Sequence, residues 1–284
     1  MVDEFREFDF RQKHFDFLRE LARSKAGIAL TEAKRELVYG RIARRIRALR
    51  LTGFDAYCDL LQNRPDDELG NFINAITTNL TSFCREEHHF SVLREQLVPH
   101  WVRTRGPRPS VRIWSAGCST GEEPYSIAMS LLEAWPPGRP RDIQISATDI
   151  DTAVLEHASS GVYDLERVQG QSLTRLQRWF QKGVGSNDQK ARLQSEVRDL
   201  VSFKRVNLMD SWPLRGPFDV IFCRNVVIYF DKPTQRRLFD RFADILAPDG
   251  HLIIGHSETL YGVSERFELI GRTIYRKAGS QAVR

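Results

Sequence analysis

Residues 111–126 have the sequence VRIWSAGCSTGEEPYS, and this stretch decides the fold of the chain. Val111–Ala116 is a short, mostly apolar run that predicts a β-strand, and Glu122–Trp135 predicts a helix. Between them, Gly117 and Gly121 permit positive φ angles and a close approach of a ligand to the backbone. Because the first turn of a helix points free N–H groups outward, this order of elements predicts a nucleotide-binding corner.

Two adjacent acids, Glu122 and Glu123, begin the predicted helix. Carboxylates suit the positive end of a helix dipole, but they would repel a pyrophosphate. They favour a ligand with a cationic end, and S-adenosylmethionine carries both a sulfonium and an ammonium group. The alternative is an ordinary helix start with acidic residues in its first turn.

A second predicted strand supports the nucleotide interpretation. Ile143–Asp149 alternates apolar and polar residues and ends in an acid. An acid at the end of the second strand is well placed to accept hydrogen bonds from a ribose diol. Together with the glycine turn and the acidic helix start, Asp149 indicates an adenosyl ligand.

The composition is typical of a globular protein. The chain has 284 residues, of which 41% are hydrophobic and 28% charged, enough for one large or two ordinary domains. No apolar run approaches the ~20 residues that cross a membrane. Met1–Arg6 contains no apolar signal segment, so we expect a cytoplasmic location. A net charge of +5 favours an acidic partner without requiring nucleic acid.

The cysteines and histidines predict no metal site. The cysteines show no C-x-x-C pairing and are expected to be reduced thiols. They are Cys58, Cys84, Cys118 and Cys223. His88 and His89 are adjacent, so on a helix their side chains would point in different directions and form a poor metal pair. We expect both to be structural.

Helical patterns run from Phe8 to about Gln96, and we assign residues 1–96 to a small helical domain. One helix begins near Thr31, runs through Arg50, and has an apolar stripe of Val38, Ile42, Ile46 and Leu49. Its opposite face carries a row of arginines, Arg41, Arg44 and Arg47. This row predicts a docking surface for an acidic partner or, equally, a solvated helix face.

Two segments interrupt the regular patterns. Residues 77–86, TTNLTSFCRE, are too polar for a core helix and either line a site or form a connecting loop. Val98–Ser110 contains Pro99, Gly106, Pro107 and Pro109 and predicts a linker between two domains.

Strands alternate with helices in residues 97–284, which predicts an α/β domain with a doubly wound sheet. Residues 157–198 break this alternation and predict a small inserted β-subdomain. A ligand of such a sheet lies at the carboxyl ends of its strands. Four residues lie at such ends, namely Gly117, Asp149, Asn207 and Asn225.

Five stretches together resemble the bacterial chemotaxis receptor glutamate methyltransferases, over nearly the whole chain. They are TTNLTSFCRE (77–86), WSAGCSTGEEPYS (114–126), ATDID (147–151), FDVIFCRNVVIYFD (218–231) and LAPDGHLIIGHSE (246–258). The resemblance implies transfer of a methyl group from S-adenosylmethionine to glutamate side chains on the cytoplasmic helices of chemoreceptors, giving methyl esters and S-adenosylhomocysteine. It also implies a helical domain followed by a sheet domain that binds the cofactor.

The resemblance further implies roles for individual residues. The cofactor-binding positions of the family correspond to Asn79, Thr81, Arg85, Glu123, Asp149, Asn207, Leu208, Arg224 and Asn225. Glu123 is preferred to Glu122 because the family pattern tolerates other residues at the first position. Arg85 and Tyr229 match positions near the methyl-transfer centre and are the candidate catalytic residues. The helix with Arg41, Arg44 and Arg47 matches the helix that docks on the receptor, and the insertion lies where some members bind a peptide tether at the receptor's C-terminus.

The implied chemistry fits the residues that are present. A glutamate carboxylate is already ionised at neutral pH, so methyl transfer to it needs no general base. The sequence accordingly shows no Ser-His-Asp or Cys-His arrangement. We expect Arg85 to orient the acceptor carboxylate or the carboxylate of the cofactor, and Tyr229 to shape the pocket.

Two other functions compete with this interpretation. One is a methyltransferase that acts on nucleic acid or a small molecule, although residues 224–230 lack the N-P-P-Y pattern of amino-group methyltransferases. The other is a non-catalytic adaptor that binds an adenosyl ligand and docks on receptors. We expect a monomer that needs no metal and does not bind nucleic acid.

Overall fold

A computed structural model describes residues 6–279 of the chain. Residues up to Thr78 form one compact unit together with Tyr229–Thr234, and Asn79–Ile228 form a second together with the residues from Gln235 on. The predicted domain limits at residues 1 and 284 lie outside the described residues. Most of Met1–Arg6, the segment in which no signal peptide was found, lies outside them as well.

The first unit is helical, as predicted. Its helices are α1 (Gln12–Ala26), a 3₁₀ helix (Glu32–Lys34), α2 (Arg35–Ala48), α3 (Phe54–Asn63) and α4 (Pro65–Ile76). Gly27 ends α1 with a φ of 70°. This conformation suits glycine and lets the Gly27 N–H bond carbonyl groups of the last turn.

Helix α2 buries most of its predicted stripe. Val38, Ile42 and Ile46 are fully buried, whereas Leu49 is 36% exposed. Leu49 lies beyond the end of the helix at Ala48, so the prediction that the helix continues through Arg50 was wrong. Its position after the last turn removes Leu49 from the buried face.

The second unit contains a seven-stranded sheet. Its strands are β1 (Ser110–Ala116), β2 (Asp142–Asp149), β6 (Val201–Arg205), β7 (Phe218–Cys223), β8 (Leu246–Ile254), β9 (Phe267–Gly271) and β10 (Ile274–Lys277). The spatial order is β6-β2-β1-β7-β8-β10-β9. Neighbours from β6 to β8 pair in parallel, and β10 pairs antiparallel with both β8 and β9. β7 is buried along its whole length, as expected for a central strand.

This strand order confirms the doubly wound class. The chain adds β2 and β6 on one side of β1 and then returns to add β7 and β8 on the other side. The strand order therefore reverses between β1 and β7. In open α/β sheets, ligands bind outside the carboxyl ends of the strands at such a switch point.

Helices connect the strands of this unit. They are α5 (His88–Val92), a π-helix (Leu93–Leu97), α6 (Val98–Thr104), α7 (Glu122–Ala134), α8 (Thr152–Ser160), a 3₁₀ helix (Val227–Tyr229) and α12 (Lys232–Ile245). Helix α7 begins at Glu122, as predicted, and its first eleven residues are buried. α12 begins among residues of the first unit and continues into the second from Gln235.

The predicted β-subdomain is present between β2 and β6. It holds β3 (Val162–Asp164), β4 (Phe180–Lys182) and β5 (Lys190–Leu193), with β5 in the middle of an antiparallel three-stranded sheet. Its helices are α9 (Leu165–Val168), α10 (Leu173–Trp179), the 3₁₀ helix Gly185–Asn187 and α11 (Ser195–Arg198).

The linker prediction for Val98–Ser110 was wrong in its first half, because Val98–Thr104 is helix α6. Pro99 is compatible with this helix because it occupies the first turn, where no intrahelical N–H bond is required. Val98 and Trp101 are buried in the core of the sheet unit. The compact units accordingly divide between Thr78 and Asn79 and not at the predicted limit of 96 and 97.

No described helix combines the length and the apolar character that crossing a membrane requires.

Candidate functional site

The glycine turn after β1 lies at the switch point of the sheet. The N–H groups of Gly117 and Cys118 both donate to the Thr148 carbonyl oxygen, at 2.8 and 2.9 Å, and so join the ends of β1 and β2. Gly117 has a φ of 86°, and a Cβ there would lie 2.4 Å from Cγ2 of Val226, which follows β7. Gly117 is therefore required both by its backbone conformation and by this close approach.

Asp149 ends β2 and faces the same turn. Its Oδ2 accepts from the Ser119 N–H at 2.8 Å, and its Oδ1 accepts from the Asp151 N–H at 3.0 Å. Burial raises the pKa of this carboxyl above its usual value, and the two backbone donors oppose that shift. A carboxylate has about four lone-pair positions, so both oxygens can still accept from ribose hydroxyl groups.

Glu123 lies on the other side of the turn, between β1 and β7. Its Oε1 accepts from the Ser115 hydroxyl at 2.8 Å, and its Oε2 accepts from Arg224 Nη1 at 3.0 Å. Burial raises the pKa of Glu123, and the Arg224 guanidinium opposes that shift. Arg224 is only 6% exposed and also contacts Glu86 Oε2 at 3.3 Å through Nη2. Two carboxylates therefore face one guanidinium, and Glu86 is also contacted by His256 Nδ1 at 2.9 Å.

Glu122 points elsewhere. It is fully buried, accepts from the Thr120 hydroxyl at 2.6 Å, and forms an ion pair with Arg167 of the inserted subdomain. Helical geometry explains the difference, because consecutive residues of a helix differ by about 100° in direction. Of the two acids, Glu123 is the one held at the ends of β1 and β7.

Asn225 follows Arg224 in a left-handed conformation with a φ of 59°. Its N–H donates to Glu258 Oε2 at 2.9 Å, and the same oxygen accepts from the Gly255 N–H at 2.6 Å. Glu258 Oε1 accepts from the Ile228 N–H at 3.2 Å. A single buried carboxylate thus fixes the loops that follow β7 and β8.

The polar segment 77–86 is non-helical, as predicted, and contacts this corner. Asn79 Nδ2 donates to Asp151 Oδ2 at 2.8 Å, and the Asn79 carbonyl accepts from the Ser119 hydroxyl at 3.0 Å. Thr81 is partly exposed in the same segment. The Arg85 carbonyl accepts a hydrogen bond from Arg224 Nη2. The Arg85 guanidinium donates to the Leu80 carbonyl at 3.0 Å.

Asn207 and Leu208 follow β6, which is β2's outer neighbour in the sheet. Asn207 Oδ1 accepts from the Met209 N–H at 3.1 Å. Leu208 is 8% exposed, and its carbonyl accepts from Trp212 Nε1 and Arg241 Nη1 at 3.2 and 2.7 Å. These contacts shape the turn after β6.

Tyr229 belongs to the helical unit, whereas Arg85 belongs to the sheet unit. The Tyr229 carbonyl accepts from the Ala29 N–H at 2.7 Å, and Lys34 Nζ lies 4.8 Å from the centroid of its ring. The catalytic role of Tyr229 stays a prediction.

The three arginines of α2 differ in their surroundings. Arg41 Nη1 donates to the Ala75 carbonyl at 3.2 Å and also to the Thr77 carbonyl, and therefore caps the end of α4. Arg47 pairs with Glu7 at 3.2 Å. Arg44 is exposed, and within residues 6–279 its guanidinium bonds only its own helix, at the Gly40 carbonyl.

The prediction that His88 and His89 point apart was wrong. Their ring centroids lie 4.0 Å apart. Both Nε2 atoms face the Arg272 carbonyl oxygen, at 3.3 and 3.2 Å, so the turn between β9 and β10 draws the two rings together. Together with Glu86 they form a group of possible metal ligands.

Sequence reasoning did not single out four residues that hold the site together. All four lie inside motifs that were quoted for the resemblance, but most of their partners lie in other segments of the chain and are apparent only in the fold. The four are Glu86, Ser115, Ser119 and Glu258.

Comparison with known proteins gives consistent matches over most of the chain. Residues 13–77 match the family model "CheR methyltransferase, all-alpha domain", and residues 79–276 match "CheR methyltransferase, SAM binding domain". The chain is 46% identical over 277 residues to chemotaxis protein methyltransferase 2 of Pseudomonas aeruginosa, covering 96% of this chain and 95% of the relative. It is 45% identical to the chemotaxis protein methyltransferases of Salmonella typhimurium and Escherichia coli, covering 95% and 92% of this chain and 91% and 90% of those proteins.

Proposed function

Because the chain belongs to the CheR methyltransferase family, and is thus an S-adenosylmethionine-dependent methyltransferase of chemotaxis, we propose that it methylates glutamate side chains of chemoreceptors. The products are glutamate methyl esters and S-adenosylhomocysteine. The acceptors are carboxylates on the cytoplasmic helices of methyl-accepting proteins, and the enzyme works in the cytoplasm.

The two carboxyl groups that face Arg224 are the observation that carries the proposal. S-adenosylmethionine has two positive groups and one carboxylate, which suit a pocket in which Glu86 and Glu123 face one guanidinium. Asp149 would accept from the ribose hydroxyls of the cofactor. The other residues that we propose to contact the cofactor are Asn79, Thr81, Arg85, Gly117, Asn207, Leu208, Arg224 and Asn225.

The reaction requires positioning more than acid–base chemistry. A glutamate carboxylate with an ordinary pKa is ionised at neutral pH and attacks the methyl carbon in line with the leaving sulfur. The C–O bond forms as the C–S bond breaks, and the electron pair of the C–S bond remains on the sulfur of S-adenosylhomocysteine. Arg85 orients the acceptor carboxylate or that of the cofactor, and Tyr229 shapes the pocket.

We assign receptor recognition to two surfaces, the arginine row of helix α2 and the inserted subdomain. Arg44 and Arg47 on α2 project into solvent and would meet acidic receptor helices, and Arg41 completes the row although it also caps α4. The inserted subdomain would bind a C-terminal peptide of those receptors that carry one.

Peptide mass mapping tests the proposal directly. The protein is incubated with S-adenosylmethionine and the cytoplasmic fragment of a methyl-accepting receptor, and modified peptides are sequenced. We expect the mass of one methyl group on glutamate residues, and no modification where those glutamates are replaced by alanine. Methylation confined to lysine, arginine or histidine would contradict the proposal.

An Arg85→Ala variant tests the candidate catalytic arginine in the same assay. Loss of orientation should lower kcat, and loss of a cofactor contact should lower affinity for S-adenosylmethionine. If both quantities stayed at the wild-type level, Arg85 would have neither role.

A further inference from the structure

Glu86, His88 and His89 form a compact cluster next to the turn between β9 and β10. One ligand atom from each residue lies within 4.8 Å of the others. His89 is fully buried, and among the described residues its Nδ1 has no hydrogen-bond partner. This nitrogen lies 3.5 Å from Glu86 Oε2, so an unpartnered buried atom faces a carboxylate.

The hydrogen bonds of the cluster identify the tautomer of His89. Its Nε2 lies 3.2 Å from the Arg272 carbonyl and 3.0 Å from the Thr273 hydroxyl oxygen. The Thr273 hydroxyl donates its own hydrogen to the Arg272 carbonyl, at 2.8 Å. The Arg272 carbonyl can only accept, so this 3.2 Å contact assigns the hydrogen of the neutral His89 ring to Nε2. In the neutral ring, Nδ1 then presents a lone pair to the Glu86 carboxylate.

His88 is held in a similar way. Its Nε2 lies 3.3 Å from the same Arg272 carbonyl oxygen, which leaves Nδ1 of this ring as an acceptor. A metal-binding histidine commonly donates its other N–H to a backbone carbonyl, which fixes the orientation of the ring. Here one carbonyl orients two histidines.

We propose that Glu86, His88 and His89 bind a divalent ion that prefers imidazole and carboxylate ligands, with Zn²⁺ as the representative. A tetrahedral ion at about 2.0–2.1 Å from its ligands separates them by about 3.3 Å. The 3.5 Å between His89 Nδ1 and Glu86 Oε2 is close to this value. Two imidazoles and one carboxylate form a ligand set for zinc that leaves a fourth position for water, and they do not suit Mg²⁺ or Ca²⁺.

The surroundings of the cluster include a cavity open to an incoming ion and side chains that compete with the ion for Glu86. A cavity of about 220 Å³ is lined by His88, Gln96 and Arg272, among others, and gives access to His88. The three ligand atoms are at most 4.8 Å apart, so binding draws these side chains closer together than they lie here. Arg224 Nη2 lies 3.3 Å from Glu86 Oε2, and His256 contacts the same carboxylate through its N–H at 3.1 Å and its Nδ1 at 2.9 Å, so an incoming ion competes with both residues for Glu86. The inference does not depend on the proposed methyl transfer.

Zinc binding by the untagged, metal-stripped protein tests the proposal. Titration of Zn²⁺ against a chromophoric chelator should show one ion per chain. His88→Gln should weaken binding at least about tenfold, because losing a ligand costs no less than the 10–100-fold that outer-shell partners typically contribute. His88 is only partly buried, so this variant should keep its fold, which circular dichroism checks.

His100→Gln is the matched control, because it removes a partly exposed histidine outside the cluster. Binding by this variant should equal that of the wild type. Co²⁺ then reports the ligand type, since visible bands of tetrahedral cobalt without a thiolate charge-transfer band indicate nitrogen and oxygen ligands. Absence of a stoichiometric ion, unchanged binding in His88→Gln, or a thiolate band would each overturn the proposal.

Discussion

Asp149 is the single residue with the clearest expected effect on cofactor binding. Asp149→Asn replaces one of the two carboxylate oxygens by a donor, so one ribose hydroxyl loses its acceptor. Hydrogen bonds to charged groups contribute about 1.5–3 kcal/mol, which predicts a roughly 10- to 150-fold rise in the Kd for S-adenosylhomocysteine by calorimetry. Asp142→Asn, at the opposite end of β2, should leave the Kd unchanged. Equal affinities of all three proteins would remove Asp149 from the site.

His251 makes stability depend on pH. Burial lowers its pKa from 6.5 to about 4, so between these values the unfolded chain binds a proton that the folded protein excludes. The free energy of unfolding should therefore fall as the pH falls below about 6.5, by about 1.4 kcal/mol per pH unit from this residue and about 2 kcal/mol at pH 5.

Denaturant unfolding at several pH values checks this dependence on His251. His251→Gln should give a shallower slope between pH 5 and 6.5, reduced by about one proton. Identical slopes for the variant and the wild type would show that His251 titrates in the same way in both states.

At the scale of elements, helix α2 carries the expected receptor-docking surface. Arg44→Glu reverses an exposed charge without breaking an ion pair, so it should raise the KM for receptor fragments several-fold and leave kcat and cofactor affinity unchanged. Arg64→Glu is the control, since Arg64 is exposed in the same helical unit just before α4, and its solvent-exposed pair with Asp67 contributes little to stability. The docking role of α2 would be refuted if both variants behaved alike.

The inserted subdomain depends on a tight turn after β4. A Cβ on Gly183 would lie 1.9 Å from the Asn187 carbonyl oxygen, so Gly183→Ala must displace the backbone between β4 and β5. Overpacking of this kind costs about 1–3 kcal/mol. We expect faster proteolysis within the subdomain and weaker binding of a receptor C-terminal peptide, with methylation of a tail-less fragment retained.

Gly170→Ala serves as the control for the subdomain, because a Cβ there meets nothing within 4 Å. This variant should match the wild type in both assays. Peptide binding that survives in Gly183→Ala despite faster proteolysis would place the tether site elsewhere.

Local sequence patterns predicted elements better than their ends. The helical spacing of apolar residues in α2 and the apolar run of β7 were sufficient to predict these two elements, because each pattern arises from burial of the element itself. Helix α6 was missed because Pro99 and the later prolines suggested a linker. Its helical state follows from the burial of Val98 and Trp101 against distant parts of the chain, which local composition does not record.

At the scale of the molecule, the order of strands and helices predicted the doubly wound sheet and a ligand at the carboxyl ends of its strands. It also placed Gly117, Asp149 and Asn225 at strand ends. The sequence could not identify the contacts between distant loops, such as that of Glu258 with Asn225 or of Glu86 with Arg224. Such contacts depend on how the loops after separate strands meet.

The central claim is that the acceptor is a carboxylate, and the stability of the transferred methyl group tests it most directly. Receptor cytoplasmic fragments are labelled with S-adenosylmethionine carrying a radioactive methyl group and then treated with mild alkali. A glutamate methyl ester hydrolyses under these conditions, so we expect the label to be released as volatile methanol. Label that remained on the receptor through this treatment would indicate a stable N-methyl group and would contradict the account.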